Sequence, residues 1–517
     1  MAAGLLAAAR SPAGPPEMAA AASSAPERGL SVLDAVRATL TRSPDIATAA
    51  QELESSRGAL EAASGRFDVV LDAQLGERGE TTPAAPAVPG QAPSTGEGPS
   101  TTYTTDYQIG ATQELRWGMK VQPHVSVSRL AGSGFDPAQT EAHLGVTVTQ
   151  PLLRGRGTAA TAARETAASI DASAAALRAR HVVATRVLAT VQAYWSCRAA
   201  SETVEILAHA EERATVFLDE ERRMVEAHER APAELHQVRA ALAEARANRT
   251  DATRAYLVAR HQLGLAMGLT WREIDALPAP ADPLDTTRAA AAVPPDAERL
   301  IGVALARRSD LRASRIAARS SEVLVGAAEG ELQPRLDLSA ELGYTGAASG
   351  NGPSPLVTTI GHDILGLNFF AGLVLQLPTP SRQARGALRQ ERARLATLDI
   401  AARDLERTIG ANVARNLGEL AALQRQLASA EEAVDDYLAA HDNEVRKLRS
   451  NLSTEFDVLQ IDSRLTAAQL SAVRARASVL QAIAQLRFET DTLIDGKDDG
   501  GALTREGLLS IPTAPAR

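Results

Sequence analysis

The chain is poor in aromatic residues, almost without cysteine, and has no long apolar run. Phe, Trp and Tyr together make up 3% of its 517 residues, although 45% of the chain is hydrophobic. Alanine dominates that fraction. Such a composition does not build a thick globular core; it suits thin helical packing, where small side chains let helices approach closely. The one cysteine, Cys197, cannot form an internal disulfide and belongs to no metal-type cysteine cluster. No cysteine lies near the N-terminus, so a lipid-anchored mature end is not expected. The absence of a run of roughly 18 apolar residues excludes an expected transmembrane helix, but leaves barrel strands open, because their trace is much weaker. There is no basic excess either. The net charge is −9 with both signs mixed, which argues against a nucleic-acid partner.

What the sequence does have is duplication. A shift of 265 positions carries Asp45 onto Asp310, Gly65 onto Gly330 and Leu71-Asp72 onto Leu336-Asp337. Each copy runs in one order: a helical lead, an alternating β segment, a break marked by Pro, and a very long tract rich in Ala, Leu, Arg and Glu. The period is too long for a solenoid, so two homologous halves are expected. Residues 1–28 are rich in Ala, Pro and Ser and read as a signal-like or disordered segment. Residues 29–276 form the first repeat, with β segments in 66–150 and a helical hairpin over 155–269. A Pro-rich linker covers 277–296. The second repeat spans 297–494, with β segments in 335–378 and a hairpin over 382–493, and 495–517 reads as a disordered tail.

Periodicity identifies the elements. Tyr107, Ile109, Ala111, Gln113 and Leu115 share one face of a strand; Leu144, Val146 and Val148 do the same, as do Leu365, Leu367, Phe369, Leu373 and Leu375. Four strands are expected in the first repeat, near Val69–Gly76, Tyr103–Arg116, Met119–Arg129 and His143–Thr149. Loops are expected over Thr81–Thr102 and Ala131–Pro137, where Gly and Pro collect. Ala184, Leu188, Val191 and Trp195 step by 4, 3 and 4, a coiled-coil stripe. The tract from Thr158 to Glu226 predicts a helix on the order of 100 Å long, with a return helix starting at Pro232. The second hairpin is expected to run from Arg382 to about Asn443, turn around Asn451, and return from Glu455 to Leu493. One apolar and one polar strand face suit a lipid-facing, water-lined barrel; a half-solvated β-sandwich gives the same alternation. A sandwich does not call for two helical hairpins of this length.

With these residues in place the chain resembles the TolC-like outer membrane channel family from Leu30 to Leu493. The resemblance rests on the duplicated order. It rests also on the strand–helix junctions Val148-Thr149-Gln150-Pro151-Leu152-Leu153-Arg154-Gly155 and Leu375-Gln376-Leu377-Pro378, and on Phe456-Asp457-Val458-Leu459-Gln460. It implies a mainly α fold with a β-barrel part: long coiled-coil hairpins, transmembrane β-strands and a homotrimeric α/β barrel in the outer membrane of a Gram-negative bacterium, reaching into the periplasm. Partners implied are outer membrane lipid, a periplasmic adaptor (membrane fusion) protein and an inner-membrane RND or ABC transporter, in drug efflux or type I secretion. The six strands expected here would give eighteen per trimer, against the family's usual twelve, unless the extra pair lies outside the barrel. The alternative is a coiled-coil scaffold of the cell envelope that is not a channel.

The resemblance also supplies candidate sites. Asp457 falls on a family position whose acids ring the periplasmic entrance; Asp462 lies nearby, and Glu234 matches an acid at the first tip. The arginine that ties the family's closed entrance falls on Ser453. The adaptor-docking tips map onto His228, Glu229 and Arg230 and onto Asn451, Leu452 and Ser453, with no glycine in the first and Asn in place of glycine in the second. The alternative reading of each acid is a solvated helix face. His209, His228 and His236 lack the HExxH spacing, so no metal site is assigned to them, and no cofactor is expected. No nucleophile–base pair stands out, and the chain reads as a non-enzyme.

Overall fold

The structure, a computed structural model, describes residues 29–83, 99–228, 231–286, 296–352, 359, 364–377, 379–450, 452–494 and 510–512. Ser31 opens the first helix, α1 (Val32–Arg42), by accepting the Asp34 N–H at 3.1 Å. Pro44 then occupies the first turn of α2 (Pro44–Ser64), where its missing N–H is harmless. A 3₁₀ turn over Gly65–Phe67 leads into four strands, β1 (Val70–Thr82), β2 (Ser100–Glu114), β3 (Lys120–Gly132) and β4 (Phe135–Pro151). A single-turn helix α3 (Thr158–Thr161) precedes α4 (Ala163–Glu226), which returns as α5 (Glu234–Ala266) and ends in the short α6 (Trp271–Asp275). The second repeat starts with α7 (Ala297–Arg307) and α8 (Ser309–Gly330) and continues through β5 (Arg335–Ser349) and β6 (Ile364–Gln376). It closes with α9 (Arg382–Arg449) and α10 (Glu455–Glu489). The 265-residue shift superposes the whole of α1 on α7 and the start of β1 on that of β5. β2 and β3 have no counterpart, so the first repeat carries an inserted hairpin.

Several boundaries depart from the sequence reading. β1 runs on to Thr82 and β2 begins at Ser100, inside the segment read as loop. β4 begins at Phe135, so the Gly/Pro stretch Ala131–Pro137 holds only a tight turn, Ser133-Gly134. Ladder pairing overrides local composition there: Gly132 faces Phe135, and Gln139 faces Ser349 of the other repeat. The first long tract is interrupted at Ala162, and its return helix starts two residues after Pro232. α9 runs six residues beyond Asn443, and α10 stops at Glu489, short of Leu493.

α4 has 64 residues and α9 has 68, so each is about 100 Å long at 1.5 Å per residue. Four helices lie side by side at every level. Next to the sheet the order is α2, α4, α8, α9; towards the tips it is α5, α4, α10, α9. Two apolar cores hold the middle. In one, Tyr194 and Trp195 of α4 meet edge to face at 5.1 Å, buried with Val36, Leu263 and Leu480. The Tyr194 hydroxyl donates toward the Leu30 carbonyl (2.8 Å) and the Asp282 carboxylate (2.9 Å), and burial pushes its pKa up. In the other, Leu300, Leu311, Ile409, Leu420 and Ile483 repeat the arrangement around α10. Arg308 is buried with Glu489 and Asp310 beside it, so each charge has a partner out of water.

The six strands make one antiparallel meander in chain order, and β4 pairs β5 to join the repeats. The register aligns the alternation across all six. Ala73, Ile109, Val125, Leu144, Tyr344 and Leu367 form one transverse row. On the other face, Asp72, Gly110, His124, Gly145, Gly343 and Asn368 form the next. Most of the apolar face is bare in the protomer: Leu71 is 78% exposed, Ile109 67% and Phe369 81%. Among the described residues β1 pairs only β2 and β6 pairs only β5, so each keeps one open edge.

Candidate pore entrance and helical tips

The junction between sheet and helices fixes where the tips point. Gln150 and Pro151 end β4, and the Leu152 N–H still donates to the Leu336 carbonyl at 2.7 Å. Gly118, in the turn between β2 and β3, has φ +101° and sits so close to this junction that a Cβ would lie 2.4 Å from the Gly155 carbonyl oxygen. Thr161 Oγ1 donates to that same oxygen at 2.9 Å. Two paired arginines tie strands to helices: Arg66 to Glu114 at 2.7 Å, and Arg116 to Glu165 through two bonds of 2.7 and 2.9 Å. Pro378, at the second junction, lies outside the described residues.

At the far end, α4 stops by putting His228 in the left-handed region at φ +62°, with its N–H donating to the Val225 carbonyl. The first tip therefore achieves without glycine the turn that glycine usually makes; His is among the better non-Gly residues there. Glu229 and Arg230 lie outside the described residues, and Glu234 is the first residue of α5. At the second tip, Asn451 likewise lies outside the described residues. Leu452 is 77% exposed, its N–H bonded to the Lys447 carbonyl at 2.9 Å, and Phe456 is exposed beside it. Ser453 donates to Glu444, which Lys447 also pairs at 2.9 Å. These two bonds hold the Glu444 carboxyl below its usual range.

Asp457 occupies the third position of α10 and closes a capping box. Its carboxylate accepts from the Thr454 hydroxyl (2.5 Å) and the Thr454 N–H (3.2 Å), while its own N–H donates back to Thr454 Oγ1. Those bonds from Thr454, hydroxyl first and backbone second, depress its pKa and keep it charged. The residue proposed from sequence as an entrance acid thus also starts its helix. Asp462 is engaged differently. Arg213 of α4 donates to it at 2.6 Å and to Thr466 at 3.1 Å, and His441 of α9 lies 3.8 Å away. This bridge ties the first hairpin to the second. Sequence reasoning sought such a tie at Ser453 and missed Arg213, because the partners are 249 residues apart and share no local pattern. The cleft at this level is lined by Arg213, Phe217, His441, Val458, Leu459 and Asp462.

Comparison with known proteins agrees with this architecture. Residues 300–490 match the model of the outer membrane efflux protein family. No curated protein matches the chain. Among solved structures, the CmeC outer membrane channel of Campylobacter jejuni is similar at a TM-score of 0.64 and 14% identity, covering 92% of this chain and 89% of that one. The outer membrane protein VceC of Vibrio cholerae is similar at 0.62 and 16%, covering 89% and 95%. The MtrE outer membrane channel of Neisseria gonorrhoeae, solved in an open state, is similar at 0.62 and 15%, covering 89% and 88%. At such identities the likeness is one of fold. Residues 300–490, nearly all of the second repeat, thus match the outer membrane efflux protein family, and about nine-tenths of the chain shares the fold of these outer membrane channels.

Proposed function

We propose that three copies close into one barrel and one helical tunnel, forming the outer membrane exit duct of a tripartite efflux or type I secretion system. The observation that carries this reading is the sheet: one face apolar and mostly bare, the other mostly polar, and an open edge at each side among the described residues. Open edges of this length invite pairing with another copy, and closure alone removes them. A coiled-coil scaffold has no use for such a face, and in lipid that face is satisfied. In this reading β1 of one copy pairs β6 of the next, the polar face lines water, and the tips meet a periplasmic adaptor through the exposed Leu452 and the turn at His228. An inner-membrane RND or ABC transporter would load the duct. Asp457 rings the entrance, while Asp462, neutralised by Arg213, serves as a latch between hairpins more than as a source of field. Reconstitution into planar bilayers tests the core of this proposal. Discrete small-conductance steps and a heat-modifiable trimer are expected; a monodisperse monomer stable without detergent overturns it.

A further inference from the structure

The polar face of the sheet carries a cluster that the channel reading does not use. His124 of β3, His143 of β4 and Glu341 of β5 each turn one ligand atom toward a common point, all within 4.8 Å of one another. His143 Nε2 is 3.1 Å from Glu341 Oε1. The other nitrogen of each ring is occupied: His143 Nδ1 lies 3.3 Å from Thr345 Oγ1, and His124 Nδ1 lies 3.4 Å from the Gln122 carbonyl oxygen. Both Nε2 atoms are thereby aimed inward, as outer partners orient metal-binding imidazoles.

The floor beneath them is made of glycine. Gly145 and Gly343 face each other in the register, in the middle of central strands where glycine is normally disfavoured. A Cβ on Gly145 would lie 2.9 Å from His143 Nε2 and 3.2 Å from His124 Nε2, and one on Gly343 would lie 2.8 Å from the His143 ring. Both nitrogens therefore overhang the same spot above Gly145, in a hollow that any side chain would fill. Glu341 stands four residues along the strand from Thr345, the register partner of His143, and reaches His143 only because Gly343 lies between.

We propose that His124, His143 and Glu341 form a binding site for a divalent first-row transition cation of the zinc class, closed across the seam where β4 of the first repeat meets β5 of the second. Two imidazoles and one carboxylate are a donor set for such ions, and not for calcium or magnesium, which take oxygen. Zinc bonds of about 2.0–2.1 Å bring tetrahedral donors to about 3.4 Å apart, so side-chain rotation over the glycine floor is enough to close the set. The fourth position faces the polar side of the sheet and takes water. The site lies within one protomer and stands whether or not three protomers form a channel.

The test is zinc titration by calorimetry of the full-length, detergent-solubilised, chelator-washed protein at neutral pH, with bound metal counted by elemental analysis. One tight site per chain is expected. H124A, H143A and E341Q should each weaken it by about tenfold or more, in line with the loss of a ligand or its support. G145A keeps all three ligands and should weaken binding similarly by displacing the rings, while H209A, on the helical hairpin, should leave it unchanged. Unchanged elution of the variants in size exclusion separates these losses from misfolding. A wild type that binds no zinc, or equal binding in wild type, H143A and G145A, overturns the proposal; loss of conductance with zinc binding intact would instead count against the channel reading.

Discussion

Placing arginine at Phe369 tests the orientation of the whole sheet. Phe369 lies one residue from the middle of the thirteen-residue β6 and is 81% exposed in the protomer. With a rise of about 3.3 Å per residue and a barrel tilt of roughly 40°, that places it within a few ångströms of the bilayer midplane if the strand is centred. Arginine there costs about 2–4 kcal/mol, a factor of about 30 to 700 in the folding equilibrium. The adjacent Asn368 points the other way and donates to Thr345 Oγ1 at 2.5 Å. F369R and N368R therefore insert the same charge one residue apart on opposite faces. N368R loses one neutral hydrogen bond, about 1 kcal/mol, and otherwise gains water. Refolding into phospholipid vesicles across a urea gradient, followed by tryptophan fluorescence and the heat-modifiable band, measures both. F369R should fold in lipid at a clearly lower urea midpoint. Equal midpoints, or a larger loss in N368R, would show that the apolar face does not meet lipid.

Four further outcomes follow from the junction and the tips. Gly118→Ala combines a left-handed φ with a Cβ 2.4 Å from a carbonyl oxygen, whereas Gly134→Ala, at φ +90° with nothing near, carries the strain alone; thermal unfolding should show the first costing about 2 kcal/mol more. Arg213→Ala removes the tie between hairpins at Asp462, and single-channel recording should show larger or longer openings; an unchanged conductance would mean this bridge does not set the entrance. Asp457 has a depressed pKa, so its contribution to the tip is complete above the unfolded-state carboxylate value and fades as pH falls through the folded one; Asp457→Asn should flatten that acid dependence in hydrogen exchange of the α10 start. Asp457→Ala should in addition lower cation selectivity at low salt and relieve block by trivalent cations, more than Glu234→Ala does, with the difference shrinking near 0.1 M where screening acts over about 10 Å.

The duplication and the strand alternation were legible because both are written in local periods: the 265-residue shift matches α1 to α7, and the rows through Ile109, Leu144 and Leu367 follow from period 2. The ends of strands were not, because Gly132 and Pro137 read as loop until the β3–β4 register, with Gly132 against Phe135, is known. The same limit applies to chemistry. Asp457 was singled out by the family resemblance alone, and its bond from Thr454 shows it serving as a helix cap. Arg213 with Asp462, and His143 with Glu341, are 249 and 198 residues apart, and only the packed hairpins and the β4–β5 ladder bring them together.

The hairpin inserted as β2 and β3 has a consequence for the width of the proposed duct. Three copies of four helices give twelve around the tunnel, with a circumference on the order of 100–120 Å at axial spacings of 8–10 Å. Twelve strands about 4.8 Å apart and tilted near 40° would span only about 75 Å. Three copies of the six strands found here span about 110 Å at the same ordinary tilt. In the proposed trimer the extra hairpin would let a barrel of unexceptional geometry match the girth of the helical cylinder beneath it, so that cargo leaving the tunnel would meet no narrowing imposed by the sheet.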